Sequence, residues 1–192
     1  MTKSSIESHC KVVFFGDSIT QFWSELSPNF FETHAYTECG ISGQTTSQMI
    51  RRFKEDVINL APKAVVILAG TNDIACNTGP ATNEEIQNNL KTMAEMAGEN
   101  GIKVILSSIL PAHDYSWNPG IYPSQRIIEI NKWIRNYSRE NGHIYLDYWT
   151  SMADERNGLI DRLTKDGVHV TKDGYELMES LVQPAIKLAL SE

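Results

Sequence analysis

Four residues from three distant stretches of the chain have the types needed to move an acyl group: Ser18, Asn72, Asp166 and His169. Asp166 and His169 stand three apart in "DGVH", with Gly167 between them, so one tight turn can bring carboxylate to imidazole. That contact fixes the ring tautomer, steadies an imidazolium and leaves the other nitrogen free to take a serine proton. Asp173, in the second "TKDG", is a rival partner. Thr171, however, reads as the N-cap of the last helix, which puts Asp173 in its first turn as a complement to the dipole. Asp166 is therefore the expected orienter. Ser18, in "VVFFGDSITQFW", follows a glycine and an aspartate at the end of an apolar run. Such a serine is either a helix cap or a nucleophile whose own N–H also faces the reacting carbonyl.

Two further segments offer donors. In "CGISGQT", Gly40 and Gly43 bracket a tight loop, and a bare glycine N–H allows the close approach that an oxyanion donor requires. A plain turn would use the same glycines. In "AGTNDIA", Asn72 carries an NH₂ donor, although asparagine is also a turn former, and Asp73 beside it reads as a brace for the loop. A nucleophile, two kinds of oxyanion donor and a base with its orienter are the inventory for acyl transfer through a tetrahedral intermediate.

Something must hold these segments at one place. Four apolar runs, 12–15, 64–68, 103–110 and 143–148, are near-continuous and rich in β-branched residues, as strands buried on both faces are. Residues 34–40 form a weaker fifth candidate. Helical patterns lie between them, at about 44–60, 83–100, 123–141 and 171–190. In the third, Ile127, Ile130, Ile134 and Tyr137 share one face. Gly101 and Gly142 each follow an asparagine at a helix end, a C-cap signal. Alternating strands and helices imply parallel crossovers and a three-layer α/β/α sandwich, expected as one domain over residues 1–192. In such sheets the ligand crevice lies beyond the carboxyl ends of the strands. Each chemical segment above directly follows a predicted strand or, for 166–169, precedes the last helix.

Composition narrows the classes. The chain is 41% hydrophobic and 21% charged, ordinary for a globular protein. A net charge of −7 disfavours nucleic acid as the partner. No apolar run reaches the roughly 18 residues of a spanning helix. "MTKSSIESHC" lacks the apolar core of a signal peptide. The chain thus reads as cytoplasmic as given, or as secreted or periplasmic if a leader has been removed. Cys10, Cys39 and Cys76 are an odd, widely spaced set, read as free and mostly buried thiols with no zinc pattern. Arg51 and Arg52, with Lys54, read as a solvated helix face. His9, His34, His113 and His143 lack the company of a base, and Phe22 and Trp23 read as core or crevice floor.

The blocks "FGDSIT" (15–20), "GISGQTT" (40–46), "AGTNDI" (69–74) and "DGVH" (166–169), in that order, resemble the SGNH (GDSL-type) hydrolase superfamily over essentially the whole chain. The resemblance implies a flavodoxin-like sandwich with a five-stranded parallel sheet of order 2-1-3-4-5. It implies Ser18 as nucleophile, His169 as base, Asp166 as orienter, and an oxyanion hole from Ser18 N–H, Gly43 N–H and the Asn72 side chain. Ile19 stands where the family name has leucine. Neither metal nor organic cofactor is implied. Asp17, Tyr115, Trp117 and Tyr122 are the candidates for a substrate wall: the aromatics of loop 111–123 either stack on a sugar or cover an acyl group, or they pin the loop to the body. The expected substrate is a short-acyl, above all acetyl, ester, including O-acetylated carbohydrate. A thioesterase, lysophospholipase or O-acyltransferase would use the same groups. A flavodoxin-like binding module is the reading from a different class, and "GDSIT" lacks the glycine patterns that cradle phosphates.

Overall fold

The computed structural model describes residues 10–191. Its elements are β1 (Val12–Gly16), α1 (Ser18–Leu26), α2 (Pro28–His34), β2 (Tyr36–Gly40), α3 (Thr46–Asp56), β3 (Ala64–Leu68), α4 (Thr71–Ile74), α5 (Asn83–Glu99), β4 (Lys103–Ser107), α6 (Ser124–Glu140), β5 (Ile144–Leu146), α7 (Trp149–Met152) and α8 (Lys172–Ser191). The sheet order is β2-β1-β3-β4-β5 and every pairing is parallel. This is the flavodoxin-like arrangement expected.

Burial explains why the strands read as unbroken apolar runs. β1 and β3 are buried at every position, whereas edge strand β2 is half-buried throughout. Val13 and Phe15 pack with α3, α5 and α6 on one face, and Val12 and Phe14 with α1, α2 and α8 on the other. Helices on both sides leave parallel strands no polar face.

Some boundaries moved. The helix expected at 44–60 breaks after Asp56, where a 3₁₀ turn, Ile58–Leu60, follows. The 34–40 run begins its strand only at Tyr36, because His34 closes α2. Gly101 and Gly142 do end helices in left-handed geometry, at φ +72° and +69°. Thr171 Oγ1 accepts the Gly174 N–H at 3.3 Å, and Asp173 lies in the first turn of α8.

Residues 18–34 fold as two short helices because Pro28 starts the second and aromatics anchor both. Phe14 meets Trp23, Phe30 and Phe31 edge-on, with centroids 5.3, 5.8 and 5.3 Å away. Each such contact is worth about 0.5–1.5 kcal/mol beyond area burial. Tyr175 Oη donates to Ile19 O at 2.8 Å, tying α8 to α1. The two segments that carry His169 and Ser18 are thereby fastened to each other. Among the described residues no helix is long and apolar enough to cross a membrane.

Candidate active site

Ser18 opens α1 directly beyond β1. The cap of that helix is Asp17, whose Oδ1 accepts the Ile19 N–H at 3.0 Å. The serine hydroxyl is therefore not spent on capping. It meets His169 Nε2 at 3.2 Å instead. Gly16 is required for space and not for a turn: a Cβ there would collide with the Thr20 side chain and reach Leu68 O at 2.9 Å.

His169 sits on a tight turn held by Asp166 and Thr164. Asp166 Oδ2 bonds His169 Nδ1 at 2.6 Å, while Oδ1 accepts the backbone N–H groups of His169 (2.7 Å) and Val168 (3.0 Å). Thr164 Oγ1 accepts Gly167 N–H at 2.9 Å, and Gly167 supplies a φ of +89°. Burial alone would raise the Asp166 carboxyl. The bonds from the His169 ring and the two backbone groups outweigh it and hold the carboxyl below its ordinary range. Phe22 and Trp117 flank the imidazole at 5.5 and 6.0 Å. Asp173, the rival, remains in α8.

A cavity of about 170 Å³ opens above Ser18, lined by Ser18, Ser42, Gly43, Asn72, Asn77, Trp117 and His169. Gly43 has φ +76° and nothing but Asn77 Nδ2 within 4 Å of where a Cβ would sit. Asn72 is buried, and its carboxamide is fully engaged: Nδ2 donates to Gln44 O at 3.0 Å and to Asp17 Oδ2 at 3.3 Å. Asp73 braces, as expected, accepting Thr46 N–H at 2.9 Å and the Thr46 hydroxyl at 2.6 Å.

Of the expected wall, Trp117 alone lines this cavity. Tyr115 is 0% exposed, with its hydroxyl 3.0 Å from Thr71 Oγ1, so it pins the loop to the body and offers nothing to a ligand. Tyr122 is exposed but stands against His113, outside the cavity lining. Asp17 is buried beneath the serine and cannot touch substrate. Arg52 also departs from the solvated face expected of it. Its guanidinium bonds Gly16 O (2.8 Å), Cys39 O (2.9 Å), Gln44 Oε1 (2.6 Å) and Asp56 (2.7 Å), and lies over the Phe15 ring. It clasps the ends of β1 and β2, the two strands that lead into the Ser18 and Gly43 loops. A helical charge pattern cannot reveal that, since the partners are backbone carbonyls distant in sequence.

The other residues set aside are accounted for. His34 Nδ1 bonds Phe30 O at 2.8 Å, His143 is half-buried beside Tyr137, His113 is exposed, and His9 lies outside the described residues, as does most of the polar N-terminal run. Cys10, Cys39 and Cys76 are only half-buried, where mostly buried thiols were expected, and burial pushes the Cys39 thiol up to about 12. Trp23 is core and Phe22 half-buried. No group of three or more His, Cys, Asp and Glu side chains among the described residues is arranged to hold a metal ion.

Residues 14–177 match the model of the GDSL-like lipase/acylhydrolase family. The chain belongs to that family. Among solved members, a GDSL-like lipase from Bacteroides thetaiotaomicron is 43% identical, with 98% of this chain and 93% of that one covered and a TM-score of 0.93. A Bacteroides fragilis protein described as an acylhydrolase is 45% identical over 94% of this chain and 88% of its own, with a TM-score of 0.92. An acetyl xylan esterase, at 22% identity, 91% and 98% coverage and a TM-score of 0.72, shares the fold. In sequence, the N-acylneuraminate cytidylyltransferase of Streptococcus agalactiae serotype V is 28% identical over 171 residues, 89% of this chain. The chain spans 37% of that relative's length.

Burial drives the Asp17 carboxyl up to about 7, against the pull of the Ile19 N–H and the His169 charge. Between the ordinary aspartate value near 4 and about 7, the folded protein keeps this proton while the unfolded chain has lost it. Folding stability through this group therefore falls as pH rises across that window and levels off above it. We expect Asp17→Asn, which cannot ionise, to gain stability relative to the wild type by up to about 4 kcal/mol between pH 4 and pH 8. Urea unfolding of both proteins across that range checks it, and parallel stability curves would contradict it.

Proposed function

We propose that the protein is a serine esterase of short-acyl esters, acetyl esters first, with O-acetylated carbohydrates among its substrates. The observation that carries this reading is the unbroken line from Ser18 Oγ to His169 Nε2 (3.2 Å) and from His169 Nδ1 to Asp166 (2.6 Å). In it, His169 removes the Ser18 proton as Oγ attacks the ester carbonyl carbon. The carbonyl electron pair moves to oxygen, where the N–H groups of Ser18 and Gly43 and the Asn72 amide stabilise it. Collapse expels the alcohol, which takes its proton from His169, and leaves acyl-Ser18. Water then gives a proton to His169 and attacks the acyl carbon. The carboxylic acid departs and the proton returns to Ser18 Oγ.

The cavity's size and walls support a small acyl group. It holds about 170 Å³ between Ser42, Gly43, Asn72, Asn77 and Trp117, side chains that are polar but for the indole. An open cleft of about 470 Å³ continues past Trp117, lined by Gln48, Thr78 and Asn118, polar groups suited to a hydroxylated alcohol. The acetyl xylan esterase that shares the fold makes acetylated sugars the natural compounds to try. The test is hydrolysis of p-nitrophenyl acetate, butyrate and octanoate. We expect kcat/KM to fall by about tenfold or more from acetate to octanoate. A preference for octanoate would contradict the short-acyl assignment.

A further inference from the structure

Asn77 belongs to none of the four motif blocks, yet its side chain joins two of them. Its Nδ2 donates to Gly43 O at 3.2 Å and to Asn72 Oδ1 at 2.9 Å, and its Oδ1 accepts the Trp117 indole N–H at 3.0 Å. We infer that Asn77 is a positioning residue for the oxyanion donors, with Trp117 setting its orientation. The inference rests on the esterase reading above, in which Gly43 and Asn72 carry those donors.

The chemistry of the partners leaves one arrangement. An indole N–H can only donate, so Asn77 must turn its oxygen toward Trp117 and its NH₂ toward Gly43 and Asn72. Asn72 then meets Asn77 with its own oxygen. Its Nδ2 is left facing Gln44 O and Asp17 Oδ2, at the floor of the Ser18 cavity. The orientation of the Asn72 donor is thus set from two sides, by the Gln44 carbonyl and, through the Asn77 amide, by the indole on the rim. At Gly43, whose positive φ is braced by no neighbouring bulk, the bond from Asn77 pins the carbonyl and with it the loop that presents the N–H. The Asn77 N–H also bonds Asn72 O at 3.0 Å, so its backbone is fixed to the same turn.

Removing these bonds leaves Asn72 held by Gln44 O and Asp17 alone and the Gly43 carbonyl without its side-chain bond. Both donors are then positioned less firmly, which costs transition-state stabilisation and not ground-state binding. Asn77 lies on the exposed rim, so water replaces part of what is lost, and the effect is smaller than deletion of a donor itself. Asn77→Ala should lower kcat on p-nitrophenyl acetate about tenfold with KM within about twofold, against roughly 10²- to 10³-fold for Asn72→Ala. Asn77→Asp should be worse than alanine. Its carboxylate can still accept from Trp117, but it only accepts, and it drives the Asn72 NH₂ away from the cavity. In an Asn72→Ala background, Asn77→Ala should cost less than about threefold, the share that acts through Gly43.

The experiment is this double-mutant cycle in kcat, with Asn77→Asp and Ser18→Ala beside it. A smaller Asn77 effect when Asn72 is absent, with aspartate worse than alanine, is the expected result. Unchanged kcat in both Asn77 variants, or equal losses in both Asn72 backgrounds, overturns the role of Asn77 alone while Ser18→Ala and Asn72→Ala remain impaired. Full activity in Ser18→Ala or Asn72→Ala overturns the esterase reading and this inference together.

Discussion

Ser18→Ala and His169→Ala are each expected to lower kcat on p-nitrophenyl acetate by roughly 10⁵- to 10⁶-fold, and the double variant should lose little more. The two side chains act as one unit across the 3.2 Å contact, so once either is gone the other has no task left. Neither substitution should unfold the protein. The helix that begins at Ser18 is capped by Asp17, and the serine hydroxyl holds no backbone group. His169 lies on a turn secured by the Asp166 and Thr164 oxygens through backbone N–H groups that alanine retains. Circular dichroism and the thermal midpoint should accordingly match the wild type. Losses within tenfold, with folding intact, would mean that another group attacks the ester.

Asp166→Asn is the second large effect, about 10³- to 10⁴-fold in kcat. One oxygen of the asparagine can keep the backbone bonds that Asp166 Oδ1 accepts now. The NH₂ then faces His169 Nδ1, where the carboxylate oxygen stands at 2.6 Å. A donor at that place favours the tautomer with its proton on Nε2, which cannot accept the proton of Ser18. The Asp166 side chain is 36% exposed, so water can stand in for part of its charge, and the lower end of the range is expected. Rates for the variant on p-nitrophenyl acetate decide the matter. A loss below about tenfold would show that the histidine needs no orienter here.

Much of this site could be read before any coordinates because a parallel sheet sends its loops to one edge. Ser18, Gly43 and Asn72 each follow a strand, and Asp166 and His169 lie close enough for sequence spacing alone to join them. The buried strands announced themselves through unbroken apolar runs. Other features exist only in three dimensions. An aromatic in a proline-containing loop can face in or out, and Tyr115 and Trp117, two residues apart, do one each. Arg52 looked like any helical cation until the sheet brought Gly16 O and Cys39 O to its guanidinium. Asp17 looked like a residue of the crevice, but capping α1 turns its carboxyl inward beneath Ser18. Asn77 had no signal at all, since its partners lie 34, 5 and 40 residues away along the chain.

The central claim is that Ser18 forms a covalent bond to the acyl carbon. The most direct test is to inactivate the protein with an organophosphorus fluoridate, which phosphorylates an activated serine and releases fluoride, and to map the adduct by peptide mass spectrometry. The account predicts one adduct per chain, on Ser18, with esterase activity lost in proportion to labelling and no adduct in Ser18→Ala. Activity that survives complete labelling, or an adduct on a different residue that accounts for the loss, would contradict it.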